Sequence, residues 1–207
     1  LVNTLGAPKM MAEICKYIEA DFRRWPEFDK TTRVAAHSEE GVIELMPTSD
    51  GEFYGFKYVN GHPANMARGF QTVTAFGVLA NVGNGYPVLF SEMTILTALR
   101  TAATSALAAK YLAPKEARVM GMIGNGAQCE FQALAFNEII GIETVRLYDL
   151  DPQATKKAAQ NLRNSNLNVV VCKSAEEAIT GVDIITTCTA DKQNATVLTD
   201  NMVGSGV

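Results

Sequence analysis

From Ala117 onward the chain alternates short apolar runs with longer stretches of helical periodicity, and few architectures accept that pattern. Val119-Met120-Gly121-Met122-Ile123 has the length and composition of a buried strand and is bounded by Gly124. The turn Gly124-Asn125-Gly126-Ala127-Gln128 follows. Glu130 to Ile140 then reads as a helix, with Phe131, Leu134, Ala135 and Glu138 at helical spacing and Gly141 at its end. Thr144 to Tyr148 is a second strand, finishing at Asp149, and Pro152 opens a helix to Leu162. Val169 to Val171 is a third strand, Ala175 to Ile179 a short helix and Val182 to Thr187 a fourth strand. The succession predicts a parallel sheet with helical crossovers.

The Gly124-x-Gly126 turn stands between the first of these strands and its helix, where a dinucleotide-binding loop stands. Glycines there let the backbone approach a pyrophosphate, and the amides of the helix N-terminus meet its charge. Asp149 ends the second strand, where a carboxylate reaches a ribose 2′-OH and would repel a 2′-phosphate, which favours NAD over NADP. A G-x-G by itself is a weak signal, because an ordinary strand-to-helix loop that binds nothing can carry the same letters. Its place after a buried strand, with an acid ending the next one, favours the nucleotide reading. Cys129 occupies the third glycine position, which implies that the helix need not approach the sheet as closely.

In the first half, Met11, Ile14, Ile18, Phe22 and Trp25 fall at three- and four-residue spacings and predict an amphipathic helix over 10–25, ended by Pro26. Strand-like segments follow at 33–36, 41–46, 53–59, 71–79 and 87–89, separated by Ser49-Asp50-Gly51, Asn60-Gly61-His62-Pro63 and Gly83-Asn84-Gly85. Thr94 can cap a long helix from Ile95 to Leu112, rich in alanine and threonine. Four charges sit where a plain core would hold apolar residues: Arg33 leading into a strand, Glu44 between Val42-Ile43 and Leu45-Met46, Lys57 inside Phe53 to Val59, and Arg100 in the alanine-rich helix. Each can lie on a strand's solvent face, as alternation in antiparallel sheets allows. Together they also make the inventory that a small zwitterion needs. Arginine forks onto a carboxylate, lysine adds a point charge, and glutamate exchanges a proton with an amine. His62, before Pro63, is expected to shape a turn, and His37, beside Ser38-Glu39-Glu40, to face solvent; neither has metal-ligand spacing.

Composition removes several classes of protein. The 207 residues are 47% hydrophobic and 19% charged, which suits a globular enzyme rather than a disordered chain. With a net charge of −4 and no dense Lys/Arg stripe, no nucleic-acid partner is expected. No apolar run reaches the ~20 residues that span a bilayer, so no membrane partner is expected either. Cys15, Cys129, Cys172 and Cys188 are far apart and form no C-x-x-C pair, which predicts reduced thiols in a cytoplasmic protein. The chain opens on Leu1 and closes on Gly204-Ser205-Gly206-Val207, and it is expected to be a fragment.

Taken together, His37-Ser38-Glu39, Gly41 to Pro47, Phe56 to Pro63, Leu99 to Thr104, Ile123 to Gln128, Tyr148-Asp149 and Thr186 to Lys192 resemble the ornithine cyclodeaminase/mu-crystallin family, in one order along essentially the whole chain. The resemblance implies an α/β protein: an N-terminal α+β domain for substrate binding and dimerisation over 1–115, and an incomplete Rossmann-like parallel-sheet domain for NAD over 116–207. It implies a homodimer acting on L-ornithine or a related basic amino acid. Arg33, Lys57 and Arg100 would hold the substrate carboxylate and Glu44 would be the proton acceptor. Thr72, Arg100, Ala127, Gln128, Asp149 and Thr189 would contact NAD, with Gly124 and Gly126 shaping its phosphate loop.

The reaction implied is transient hydride transfer. Ornithine is oxidised at its α-carbon to an imine, the δ-amine closes the ring, ammonia departs and the hydride returns to give L-proline. The family's catalytic aspartate would follow Val207, so these 207 residues alone are expected to be inactive and poorly folded. Two other outcomes stay open on the same scaffold: an NAD(P)H-dependent imine reductase or amino-acid dehydrogenase, and a non-catalytic binding protein of the mu-crystallin kind.

Overall fold

The computed structural model describes residues 2–190, 196–205 and 207. Of the stretches that carry the family resemblance, Asp191 and Lys192 lie outside the described residues. The chain forms two compact units, Ile18–Ala98 on the one hand and Leu1–Tyr17 with Leu99–Val207 on the other. The division of roles expected at 115/116 is distinct from this division into compact units.

The Ile18–Ala98 unit is built on one antiparallel sheet of β1 (Val34–His37), β2 (Val42–Ser49), β3 (Phe53–Gly61), β4 (Ala75–Asn81) and β5 (Pro87–Glu92), in that spatial order. Register places Ala35 beside Glu44, Glu44 beside Val59 and Val59 beside Ala75; two residues along, Met46, Lys57 and Gly77 line up. Side chains alternate across a pleat. Ala35, Glu44, Met46, Lys57, Val59, Ala75 and Gly77 therefore share one face, and Val59, Ala75 and Gly77 on it are buried. The opposite face carries Val34, Leu45, Tyr58, Phe76 and Phe90, and Phe90 is 70% exposed. The solvent-facing option for Glu44 and Lys57 is thus reversed: the open face is the apolar one.

Strand β2 runs on through Pro47 to Ser49, beyond the expected end at Met46. Its neighbour β1 pairs only as far as Leu45, so the missing N–H of Pro47 leaves no ladder bond unmade on that side. Strand β4 starts at Ala75 rather than Gln71. Residues before it are held without forming a regular strand: the Thr72 and Thr74 carbonyls accept the backbone N–H groups of His62 and Asn60, and the Asn60 Oδ1 accepts from the backbone N–H of Thr74 at 2.6 Å and from its hydroxyl at 2.7 Å.

The other unit holds a parallel sheet of β6 (Val119–Ile123), β7 (Thr144–Tyr148), β8 (Asn168–Val171) and β9 (Ile184–Thr187) in the order β8-β7-β6-β9, as the strand–helix alternation predicts. The crossovers are α4 (Cys129–Ile140), α5 (Pro152–Leu162) and α6 (Ala175–Ile179), preceded along the chain by α1 (Val2–Leu5), α2 (Ala7–Arg23) and α3 (Thr94–Leu112). Caps match the letters: Gly141 ends α4 at φ 90°, and the Asp151 carboxylate accepts the Gln153 N–H at the start of α5. Met120, Met122, Val145 and Leu147 are fully buried and fill the core of this sheet.

Three local expectations change. Helix α2 ends at Arg23, and Pro26 lies in a short 3₁₀ turn, Trp25–Glu27. Of the expected apolar stripe only Met11 is fully buried, while Phe22 and Trp25 are exposed and meet in a tilted ring contact at 5.8 Å. Thr94 does not cap α3 with its hydroxyl, which accepts the Ala75 N–H at 3.0 Å; the Glu92 carboxylate takes the Thr94 N–H instead. Hydrogen bonds from the Thr94 hydroxyl and from the backbone N–H groups of Thr94 and Ile95 hold the Glu92 carboxyl below the usual carboxylate range. In α4 the buried residues are Cys129, Gln132, Ala133, Ala135 and Phe136, so of the expected Phe131, Leu134, Ala135 and Glu138 only Ala135 is buried; small residues pack inside and one glutamine is taken in with them. Among the described residues no helix is long and apolar enough to cross a membrane.

Candidate functional site

Two clusters gather the residues singled out from sequence, one in each unit. On the inward face of the antiparallel sheet, the Arg33 guanidinium lies 3.5 Å from the Glu44 carboxylate. Arg33 precedes β1 and its side chain is 63% exposed, whereas that of Glu44 is 24% exposed. Lys57 stands on the same face, diagonal to Glu44 across the β2–β3 ladder, and donates to the Thr97 hydroxyl at 3.5 Å. Thr97 was not foreseen; its signal was its place three residues before Arg100, on one side of α3. Arg100 itself is exposed and belongs to the other unit. Thr72 is half-buried in the segment before β4, its carbonyl accepting the His62 N–H at 2.9 Å.

His62 shapes its loop as expected. Asn60 gives its oxygen to Thr74 and so turns its NH₂ to the His62 Nδ1, 3.1 Å away. That leaves Nδ1 an acceptor and sets the neutral ring as the Nε2–H tautomer. Gly41 lies beneath this ring; a Cβ there would come within 2.8 Å of the His62 Cγ and 2.2 Å of the Gly61 carbonyl oxygen. His37 is exposed in β1, as expected.

The second cluster surrounds the turn after β6. Gly124 is buried at φ +91°, a conformation that favours glycine, and a Cβ would lie 2.8 Å from the Thr189 nitrogen and from the Cys188 carbonyl carbon. Gly126 is exposed, with nothing among the described residues within 4 Å of the place a Cβ would take, and Ala127 beside it is exposed too. Asp149 accepts the Asn125 N–H at 2.5 Å on one oxygen and the Asp151 N–H at 2.9 Å on the other. Two backbone donors thus pin the carboxylate, and its remaining lone pairs stay available to a hydroxyl pair. Thr189 is exposed at the end of the strand beside β6.

Two polar residues here escaped the sequence reading. Asn125 is fully buried, donates from Nδ2 to the Tyr148 carbonyl at 3.2 Å, and leaves its Oδ1 without a partner. Gln132, 3% exposed, likewise leaves Oε1 unpartnered. Polar residues in a turn and in a mid-helix position carry no sequence mark of burial. Cys129 is fully buried, and burial pushes its thiol far above the usual range; the Cys188 thiol is pushed up to about 11 by the same cause. Both are protonated, weakly nucleophilic thiols. A helix approaches the sheet closely at Gly121, where a Cβ would lie 2.6 Å from the Ala178 carbonyl oxygen of α6.

A 3-2-1-4 parallel sheet with a glycine turn at the carboxyl end of its first strand, joined in one chain to a sheet with a charged inner face, defines an α/β protein of the nucleotide-dependent dehydrogenase and cyclodeaminase class. The chain belongs to the ornithine cyclodeaminase/mu-crystallin family, whose model matches residues 1–207. It is 69% identical over 207 residues to an ornithine cyclodeaminase of Brucella suis biovar 1 (strain 1330), covering 100% of this chain and 58% of the relative. Among solved structures, one of a lysine cyclodeaminase, determined for its recognition of L-lysine, L-ornithine and L-2,4-diaminobutyric acid, superposes with a TM-score of 0.87 at 27% identity, over 98% of this chain and 61% of that one. An archaeal alanine dehydrogenase dimer with bound NAD gives 0.78 at 34% identity, over 86% and 55%. The chain thus spans 58% of the length of the Brucella relative.

Proposed function

We propose that the full-length protein is an NAD-dependent enzyme that converts L-ornithine to L-proline and ammonia, with the substrate bound by the 1–115 region and the cofactor by the 116–207 region. The observation that carries this reading is the grouping of Arg33, Glu44 and Lys57 on one inward sheet face, in a chain 69% identical to an ornithine cyclodeaminase. NAD fits the glycine turn: Gly126 leaves open the space a side chain would fill, the first-turn amides of α4 are donors, and Asp149 is held for the ribose. When bound, NAD supplies the hydride acceptor and returns the hydride at the end of the cycle.

The residues divide the remaining work. Arg33 and Lys57, with Arg100, bind the α-carboxylate, the arginines by paired N–H donors and the lysine as a point charge. Arg33 is exposed enough to turn from Glu44 to an arriving carboxylate, which frees Glu44 to take a proton from the substrate amine. Gln128, Ala127, Thr72 and Thr189 contact the dinucleotide. The four cysteines are free thiols, which suits a cytoplasmic enzyme. The exposed apolar face of the antiparallel sheet is the surface through which two subunits pair.

The test uses the full-length protein. Arg33→Ala and Lys57→Ala each remove a charge-assisted contact of about 1.5–3 kcal/mol, so KM for ornithine rises about tenfold or more while NAD affinity stays unchanged. Equal loss of both ligands would make these residues structural. The 34% identity to an alanine dehydrogenase favours a second reading, net oxidation of an amino acid. Absorbance separates the two: ornithine turnover with no accumulation of NADH supports cyclisation, and stoichiometric NADH supports the dehydrogenase.

A further inference from the structure

Among the described residues, the side-chain oxygens that are buried without a hydrogen-bond partner are those of Asn125 and Gln132, and both belong to the turn and helix after β6. An unmade hydrogen bond in a dry interior is unfavourable, and an apolar side chain of the same length would fill the place of Gln132 without that penalty. What Gln132 does make is one bond: its Nε2 donates to the Gln128 Oε1 at 3.4 Å, one helical turn back. Gln128 is the N-cap residue of α4, and its side chain makes no capping bond to its own helix. With Oε1 turned to Gln132, the Gln128 carboxamide presents its NH₂ outward. A helix N-terminus offers only donors to an anion, and an amide oxygen facing the same anion would repel it.

We propose that Gln132 is a positioning residue for the cofactor: by holding the Gln128 oxygen inward, it makes the Gln128 NH₂ a donor to the dinucleotide pyrophosphate. The inference rests on the reading that this turn binds NAD through Gln128. Gln132 touches no phosphate and acts only through its neighbour. Its own unpartnered oxygen is the structural cost of the arrangement, so removing both polar atoms together should separate stability from affinity.

The experiment is a double-mutant cycle in the full-length protein, with the NAD dissociation constant measured by calorimetry and the cofactor-free thermal midpoint by circular dichroism. Gln132→Met should leave the midpoint unchanged or higher and weaken NAD about tenfold or more, the range for losing one oriented bond to a charged group. In a Gln128→Ala background the same change should weaken NAD no further. Gln132→Leu serves as a second apolar replacement. If Gln128→Ala weakens NAD but Gln132→Met does not, or if the methionine costs the same affinity in both backgrounds, the inference is overturned. Failure of both apolar variants to fold overturns it as well, since Gln132 would then be a packing residue. Absence of NAD binding by the unsubstituted protein, or full affinity after Gln128→Ala, instead strikes at the cofactor reading itself.

Discussion

Gly124 and Gly126 stand two residues apart in one turn and meet opposite requirements. Gly124 is buried at φ +91° with the backbone of Cys188 and Thr189 packed where a side chain would go, so it serves the fold. Gly126 has open space around it among the described residues and no positive φ, so nothing in the described fold requires it to be small. Alanine scanning of the pair should therefore split cleanly. Gly124→Ala combines strain at a left-handed position with overpacking and should destabilise the full-length protein by about 1–3 kcal/mol, seen as a lower denaturation midpoint. Gly126→Ala should leave that midpoint within about 0.5 kcal/mol and weaken NAD, because the methyl group occupies the approach of the pyrophosphate. If Gly126→Ala bound NAD as well as the unsubstituted protein, the phosphate loop would lie elsewhere. The two letters look alike in sequence; what distinguishes them is the strand that packs against one and not the other.

Asp183 ties two elements together. Its carboxylate, just before β9, accepts the backbone N–H groups of Arg118 and Val119 at 2.8 Å each and so fixes the start of β6. These bonds hold the Asp183 carboxyl below the usual carboxylate range, with the Arg118 charge adding to them. A depressed folded pKa stabilises fully above the unfolded value and is lost as pH falls through the folded one. Asp183→Ala should thus cost about 1–3 kcal/mol near neutrality, and the gap from the unsubstituted protein should close below about pH 4 in urea titrations run across that range. A constant gap would mean that the carboxylate contributes by shape alone. Elements of this sheet were legible in the sequence because β6 reads as a buried apolar run and single letters mark several boundaries: β6 ends before Gly124, α4 at Gly141 and β7 before Asp149, and α5 begins at Pro152. The antiparallel strands were legible in number but not in length. Pro47 is harmless only because β1 stops short of it, and the segment before β4 is held by two backbone bonds from Asn60 and His62 together with the Asn60 side chain, without forming a regular strand. Both facts belong to partners distant in sequence. The candidate site divides in the same way. Its charges were visible as interruptions of apolar runs, whereas Thr97, Asn125 and Gln132 are ordinary letters whose roles depend on neighbours that only folding supplies.

At the scale of the molecule, an apolar sheet face stands open. Val34, Leu45, Phe76 and Phe90 are 65%, 41%, 38% and 70% exposed, and Phe76 stacks on Tyr58 at 4.9 Å and meets Phe90 at 5.8 Å, so the side chains form one continuous patch rather than scattered positions. Patches of this kind on a soluble protein mark association surfaces, and aromatic residues at the centre of such a surface carry a large share of the binding energy. A two-fold pairing brings the same patch of each subunit against the other. Phe90 is the most exposed of the four and lies on edge strand β5, where a charge can be introduced with least disturbance of the sheet. In the proposed dimer of the full-length protein, Phe90→Asp should place two like charges in a desolvated interface and shift the species in light scattering from dimer to monomer at micromolar concentration, a loss of several kcal/mol in association. NAD affinity should fall little, because the glycine turn belongs to the other compact unit. A variant that kept the dimer mass would show that subunits meet through another surface, and one that lost NAD in proportion to the dimer would show that the cofactor is held only within the assembled pair.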